Sequence, residues 1–142
     1  MTAIHDMTAG DLLAAYKSRK LSPVEGVNAV ITHIEKWEPK LKALYAPRLD
    51  ACLAAIDKYI PDAVTTRPDG GFFLSLTLPE GVSTTAVRAA AARVNLNLAD
   101  GLAFFPQGGG ERFLRLPFCA LSAAQIDEGV RRLAVAVQEA RS

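Results

Sequence analysis

Cysteine, histidine and net charge are all scarce in this chain, and each scarcity closes a route. Two cysteines in 142 residues, Cys52 and Cys119, are too few for a disulfide-stapled fold. Both fall inside predicted regular elements, a helix and a strand, so they read as reduced thiols in a core. With 16 basic and 15 acidic residues, the net charge of +1 gives no electrostatic footprint for nucleic acid or an anionic membrane. No apolar run approaches the ~20 residues that a membrane-spanning helix needs. The opening MTAIHDMTAGD puts acids where a secretory leader would be basic and then apolar. A protein of a reducing cytoplasm is expected, with no nucleic-acid or membrane partner.

What is present is ordinary globular material. Hydrophobic residues make up 50% and charged residues 22%, which excludes a disordered chain. The length suits one domain, or one domain with a helical appendage. The first segment is helical by its signals. Thr8 can cap a helix carrying Leu12, Leu13 and Tyr16. Ser22-Pro23-Val24-Glu25 then combines a cap, proline at the first helical position and an acid that closes a capping box. Val24, Val27, Ile31 and Ile34 keep one face apolar, and Pro39 is expected to end that helix. Pro47 is expected to open the next, which runs to Ile60.

Period-two alternation predicts strands at Phe72–Leu78 and Phe113–Cys119, with a further short strand region between Asn95 and Phe105. Ser83 caps an alanine-rich helix. Ser122 and Gln125 form an S-x-x-Q capping box in front of an apolar stripe of Ile126, Val130, Leu133, Ala134 and Val137. The fold class that follows is α+β: an N-terminal helical hairpin, then a three- to four-stranded sheet covered by helices. Arg115 is the anomaly, a charge inside an apolar strand that must meet water or an anion.

Two stretches resemble known families. DLLAAYKSRKLSPVEGVNAVITHIEKWEPKLKALYA is similar to the N-terminal helices of amidase-signature enzymes, through its LSPVE turn and Leu/Val spacing. RLDACLAAIDKYIPD, RPDGGFFLSLTLPEGV and NLNLADGLAFFPQGGGERFLRLPFCALSAAQIDEGVRRLA resemble the C-terminal small domain of fold-type I aminotransferases. Within them the 2-aminoadipate-type and regulator-fused class I/II group stands nearest. The resemblances divide the chain into domains at 1–46 and 47–142. The second implies that Arg115 stands where that family pairs an arginine with the substrate α-carboxylate, through a bidentate fork. The family's cofactor lysine motif and phosphate cup have no counterpart in the sequence. Pyridoxal phosphate is therefore not expected.

Other residues carry chemistry of their own. His5, Asp6, His33 and Glu35 could ligate a divalent metal and activate water, or stand as solvated surface residues. Cys119 could serve as a nucleophile if His5 or His33 approached it, or be a packed thiol. Gly108-Gly109-Gly110 could offer amides to an anion, or simply turn the chain. Two readings of function stay open. One is a chimera of shuffled fragments that lacks both parents' catalytic machinery and has no amidase or transaminase activity. The alternative is a newly selected hydrolase of ester or phosphoester bonds, metal-assisted or cysteine-dependent, with its site at a dimer or hairpin–sheet interface. The apolar helix faces lead to the expectation of a homodimer.

Overall fold

The computed structural model describes residues 3–141. The chain divides into two compact units, Met1–Ala43 and Leu44–Ser142. In the first unit, α1 (Ala9–Lys17) starts at a capping box between Thr8 and Asp11. Arg19, with φ of 55°, turns the chain into α2 (Pro23–Tyr59). The Ser22–Glu25 box forms as its spacing predicts. The Glu25 amide donates to Ser22 Oγ at 3.1 Å, and the Ser22 amide to Glu25 Oε2 at 2.8 Å. Bonds to the Glu25 carboxyl from the Ser22 backbone, and then from its side chain, hold it below its ordinary range. α1 crosses α2 at Gly26, which is buried under Tyr16. The apolar stripe beyond stays open: Val24, Val27, Ile31 and Ile34 are each about half exposed or more.

α2 departs from the expected pattern. Pro39 and Pro47 were read as the end of one helix and the start of another, yet both lie inside a single 37-residue helix. A proline removes one backbone donor and crowds the carbonyl four residues back, Glu35 and Ala43 here. Both prolines are exposed, on the side where a freed carbonyl can be hydrated, so the helix bears them.

The second unit is a two-layer sandwich. β1 (Val64–Thr65), β2 (Phe73–Thr77) and β3 (Phe113–Pro117) form an antiparallel sheet in the order β1-β2-β3. The region between Asn95 and Phe105 is not a strand. It is extended chain ending in a 3-10 turn, Gly101–Phe104, that Asp100 caps. Leu74 and Leu76 of β2 and Leu114 and Leu116 of β3 point to one face, as the alternation predicts. Against them pack the C-terminal part of α2 (Leu49, Cys52, Ile56, Ile60), α3 (Thr84–Arg93; Val87, Ala90, Ala91) and α4 (Ala123–Glu139; Ile126, Val130, Leu133, Val137). At about 25 cal/mol per Å² of apolar surface removed from water, this single core is what holds the unit together.

Local bonds fix the helices onto that core. Ser83 caps α3, and Ser122 with Gln125 closes the predicted box on α4. Thr84, the one buried polar residue among those described, bonds the Phe113 carbonyl at 3.0 Å and ties α3 to β3. On α4, Glu128 is clasped by Arg131 and then Arg132, which pull its carboxyl down to about 2. No helix among the described residues is long and apolar enough to cross a membrane.

One position on α4 is open to improvement. A Cβ added at Gly129 would meet nothing within 4 Å. Glycine in a helix interior costs about 1 kcal/mol relative to alanine. Gly129→Ala is expected to stabilise the protein by roughly that amount, read as a rise in thermal midpoint of about 4 °C or more. A lowered midpoint would mean that the space beside Gly129 is occupied in solution.

Candidate functional site

The outer face of the sheet, away from the helices, carries the chemistry. Its register places Phe73, Ser75 and Thr77 of β2 opposite Pro117, Arg115 and Phe113 of β3. Val64 of β1 joins them opposite Thr77. Arg115 is the one charged residue among these strand positions. Its guanidinium carbon lies over the Phe73 ring, 3.6 Å from the centroid, and over the Phe104 ring at 5.2 Å. Stacking of this kind suits the weakly hydrated, planar guanidinium and leaves its N–H fork at the ring edges.

The 3-10 turn builds the aromatic wall. Phe104 and Phe105 both meet Phe113 edge-on, with centroids 5.8 and 5.1 Å away. Phe105 also closes over Gly110, where an added Cβ would come within 2.4 Å of the ring. Gly108, Gly109 and Gly110 all have φ between 80 and 99°, so this run is a left-handed turn returning the chain to β3. Its glycines are needed for that geometry.

Arg115 is set apart by what it does not hold. Eight of the ten arginines hold a carboxylate or a backbone carbonyl. Arg48, for example, donates to the Cys119 carbonyl at 2.6 Å, and Arg112 to the Leu78 carbonyl at 2.8 Å. Arg19 is exposed in a turn. Arg115 is half-buried, and among the described residues it has aromatic faces and no anion. A half-buried guanidinium without a counterion has a fork whose geometry matches a carboxylate or phosphate.

Of the other predicted residues, His5, Asp6 and His33 lie near one another. The His5 and His33 rings stack with centroids 3.9 Å apart, and His5 Nε2 lies 3.8 Å from Asp6 Oδ2. Glu35 is two residues beyond His33 on α2, about 200° around the helix, so it cannot share His33's face. No group of three or more His, Cys, Asp or Glu side chains among the described residues is arranged to hold a metal ion. Cys119 is half-buried just past β3, in the second unit, whereas both histidines belong to the first. Cys52, a free thiol like Cys119, is buried in the core, and burial pushes it up to about 11, which keeps it inert.

No family model matches the chain. Relatives and solved structures do. It is 36% identical over 108 residues to an aromatic-amino-acid aminotransferase of Thermococcus litoralis, covering 75% of this chain and 26% of that protein. It is 38% identical over 100 residues to the 2-aminoadipate transaminase of Thermus thermophilus, covering 70% and 25%. Its relatives are fold-type I aminotransferases. The structure superposes on the alpha-aminoadipate aminotransferase of Thermus thermophilus, crystallised with N-(5'-phosphopyridoxyl)-L-leucine, with a TM-score of 0.65 at 30% identity. That match covers 89% of this chain and 34% of the other. A kynurenine aminotransferase of Pyrococcus horikoshii, with PMP, gives 0.69 at 28% identity. The chain spans about a quarter of the length of the curated relatives it matches.

These matches correct three expectations. Coverage of 89% leaves about 16 of 142 residues outside the superposition, fewer than the 43 of the first unit. The aminotransferase likeness therefore reaches into α2 on both sides of residue 46, and nothing supports amidase-like helices or a chimera. The hydrolase reading falls with it, since the relatives are aminotransferases. The expectation against pyridoxal phosphate fails too, because related structures carry phosphopyridoxyl compounds. The residues present do not themselves make that cofactor's cradle: all six lysines are exposed, on α1, α2 or the turn between them.

Proposed function

We propose that this chain acts as the substrate-carboxylate-binding portion of a pyridoxal-phosphate-dependent aminotransferase. One observation carries the reading: Arg115 is half-buried, stacked on Phe73 and without an anionic partner. The amino and oxo acids that aminotransferases exchange share an α-carboxylate, and a planar fork meets a carboxylate through two parallel N–H···O bonds. Phe73 and Phe104 hold the guanidinium without competing for its donors. They also thin the water around it, which strengthens the pairing. The cofactor, when present in such an enzyme, supplies the electron sink for the amino acid. In this reading its lysine and phosphate site come from outside the residues described here, and Arg115 orients the acid toward it. Ser75, directly across the ladder from Arg115, is the nearest polar side chain along the strands to assist.

The test needs no cofactor. Pyruvate is titrated into the protein while the Arg115 Nε–H and the amides of β2 and β3 are followed by NMR. Saturable shifts centred on Arg115 are expected. Arg115→Gln should weaken them by about 10- to 100-fold, since a hydrogen bond to a charged group contributes about 1.5–3 kcal/mol. Pyruvate that leaves the Arg115 resonances unmoved, or that binds the Gln variant equally, would remove the assignment.

A further inference from the structure

We infer that Asp69–Gly70 is a site of spontaneous covalent modification, at which the folded protein converts its aspartate to an isoaspartyl linkage. An aspartate followed by glycine occurs twice in the chain, at Asp69–Gly70 and at Asp100–Gly101. Both steps have the same intrinsic chemistry, because glycine carries no side chain to shield its amide nitrogen. Their surroundings separate them.

The reaction needs no partner. The Gly70 amide nitrogen attacks Asp69 Cγ, a C–N bond forms, and the carboxyl hydroxyl leaves with the amide proton as water. Water then adds to the five-membered imide at either carbonyl. Opening at Cγ restores the aspartate. Opening at the original peptide carbonyl leaves the main chain running through Cβ and Cγ, with a free α-carboxylate as the branch. The sum is an isomerisation, with no change of mass and no oxidant or cofactor.

Ring closure requires the backbone to swing the glycine nitrogen onto Cγ, so its rate follows local freedom. Asp69 lies in an exposed bend, ahead of two glycines, and Gly71 already has a φ of 90°. Such a pair passes between backbone conformations at little steric cost. A Cβ added at Gly70 or Gly71 would meet nothing within 4 Å. At the second step every group is held. Asp100 Oδ1 accepts from the Leu102 amide at 3.1 Å, and Oδ2 pairs with Arg88 at 3.0 Å. Gly101 is buried against the carbonyls of Phe113 and Gly110, so its nitrogen is free to reach Cγ only after the turn lifts from β3. The isomer at Asp69 adds one main-chain carbon just ahead of Phe73, the first residue of β2 and the ring that faces the Arg115 guanidinium. It therefore changes the entry to the strand that supports that side chain.

The experiment ages the whole chain in ¹⁸O-labelled water at mildly acidic pH, once folded and once in urea. Trypsin then leaves the two steps in separate peptides, residues 59–88 and 94–112. Mass spectrometry reads the ¹⁸O gained on ring opening, and fragmentation with electron transfer identifies the isoaspartyl isomer. In the folded protein Asp69 should take up label at least about tenfold faster than Asp100, which must first give up a hydrogen bond to a charged group. In urea the two rates should converge. Gly70→Val, whose branched side chain crowds the amide, should suppress labelling at Asp69 and leave Asp100 as it was. Equal rates at the two sites in the folded protein, or faster labelling of Asp100, would overturn the assignment. So would a folded protein that forms no isoaspartate at Asp69 over a period in which the urea-unfolded chain does.

Discussion

Phe118→Ala is expected to cost the second unit about 4 kcal/mol, the middle of the range for deleting a buried aromatic side chain. Phe118 is 2% exposed and belongs to the single core between sheet and helices. Its amide also donates to the Phe72 carbonyl at 3.1 Å, so it extends the β2–β3 pairing past the last residue of β3. Truncation removes the transfer energy of the ring and leaves a void that the close-packed surroundings fill only in part. A domain of this size has only about 5–15 kcal/mol of stability in total, so the loss should appear as a large fall in the urea midpoint. Val24→Ala makes the comparison. Val24 is also apolar but 67% exposed in the first unit, and its change should stay within about 0.5 kcal/mol. Equal effects of the two substitutions would mean that the core does not lie where the structure puts it.

Gly101→Ala should cost about 3 kcal/mol, at the top of the usual range for overpacking. The reason is steric. A Cβ at Gly101 would lie 1.9 Å from the Phe113 carbonyl oxygen and 3.3 Å from that of Gly110. Both are backbone atoms that no side-chain rotation can move aside. To admit the methyl, the 3-10 turn must lift away from the start of β3 and carry Phe104 off Arg115. The variant should therefore lose stability and carboxylate binding at Arg115 together. Gly81→Ala, where nothing lies within 4 Å, would be strained only by its φ of 78°, at about 1–2 kcal/mol. A Gly101→Ala protein as stable as the parent would show that the turn does not pack on β3.

Local signals in the sequence were reliable where the chemistry is local. The boxes at Ser22–Glu25 and Ser122–Gln125 each join two groups three residues apart, so nothing distant can override them. The alternation of Leu114 and Leu116 with Phe113 and Arg115 settled which face of β3 is buried, because successive strand residues point to opposite sides. The prolines misled for the opposite reason. A proline defines a helix end only by local cost, and Pro39 and Pro47, both exposed, sit within α2 and do not bound it. The division into unrelated fragments came instead from a resemblance of the first helices to amidase-signature enzymes, which the aminotransferase likeness across residue 46 does not support.

The sequence by itself determined the α+β class, the inward and outward faces of β2 and β3, and Arg115 as the strand charge that must meet water or an anion. Those follow from period and from the cost of burying a charge. Only the tertiary structure decided which groups surround Arg115. Phe73, Phe104 and Arg115 are separated by many residues in the chain, and antiparallel pairing with a turn seated on Gly101 is what brings them together. In the same way Glu35 is near His33 in sequence but turned away by helical spacing, and no group of three metal-holding side chains forms among the described residues. Proximity along the chain and proximity in space agree for caps and turns. For a binding site they are joined only by the register of the sheet and the packing of its loops.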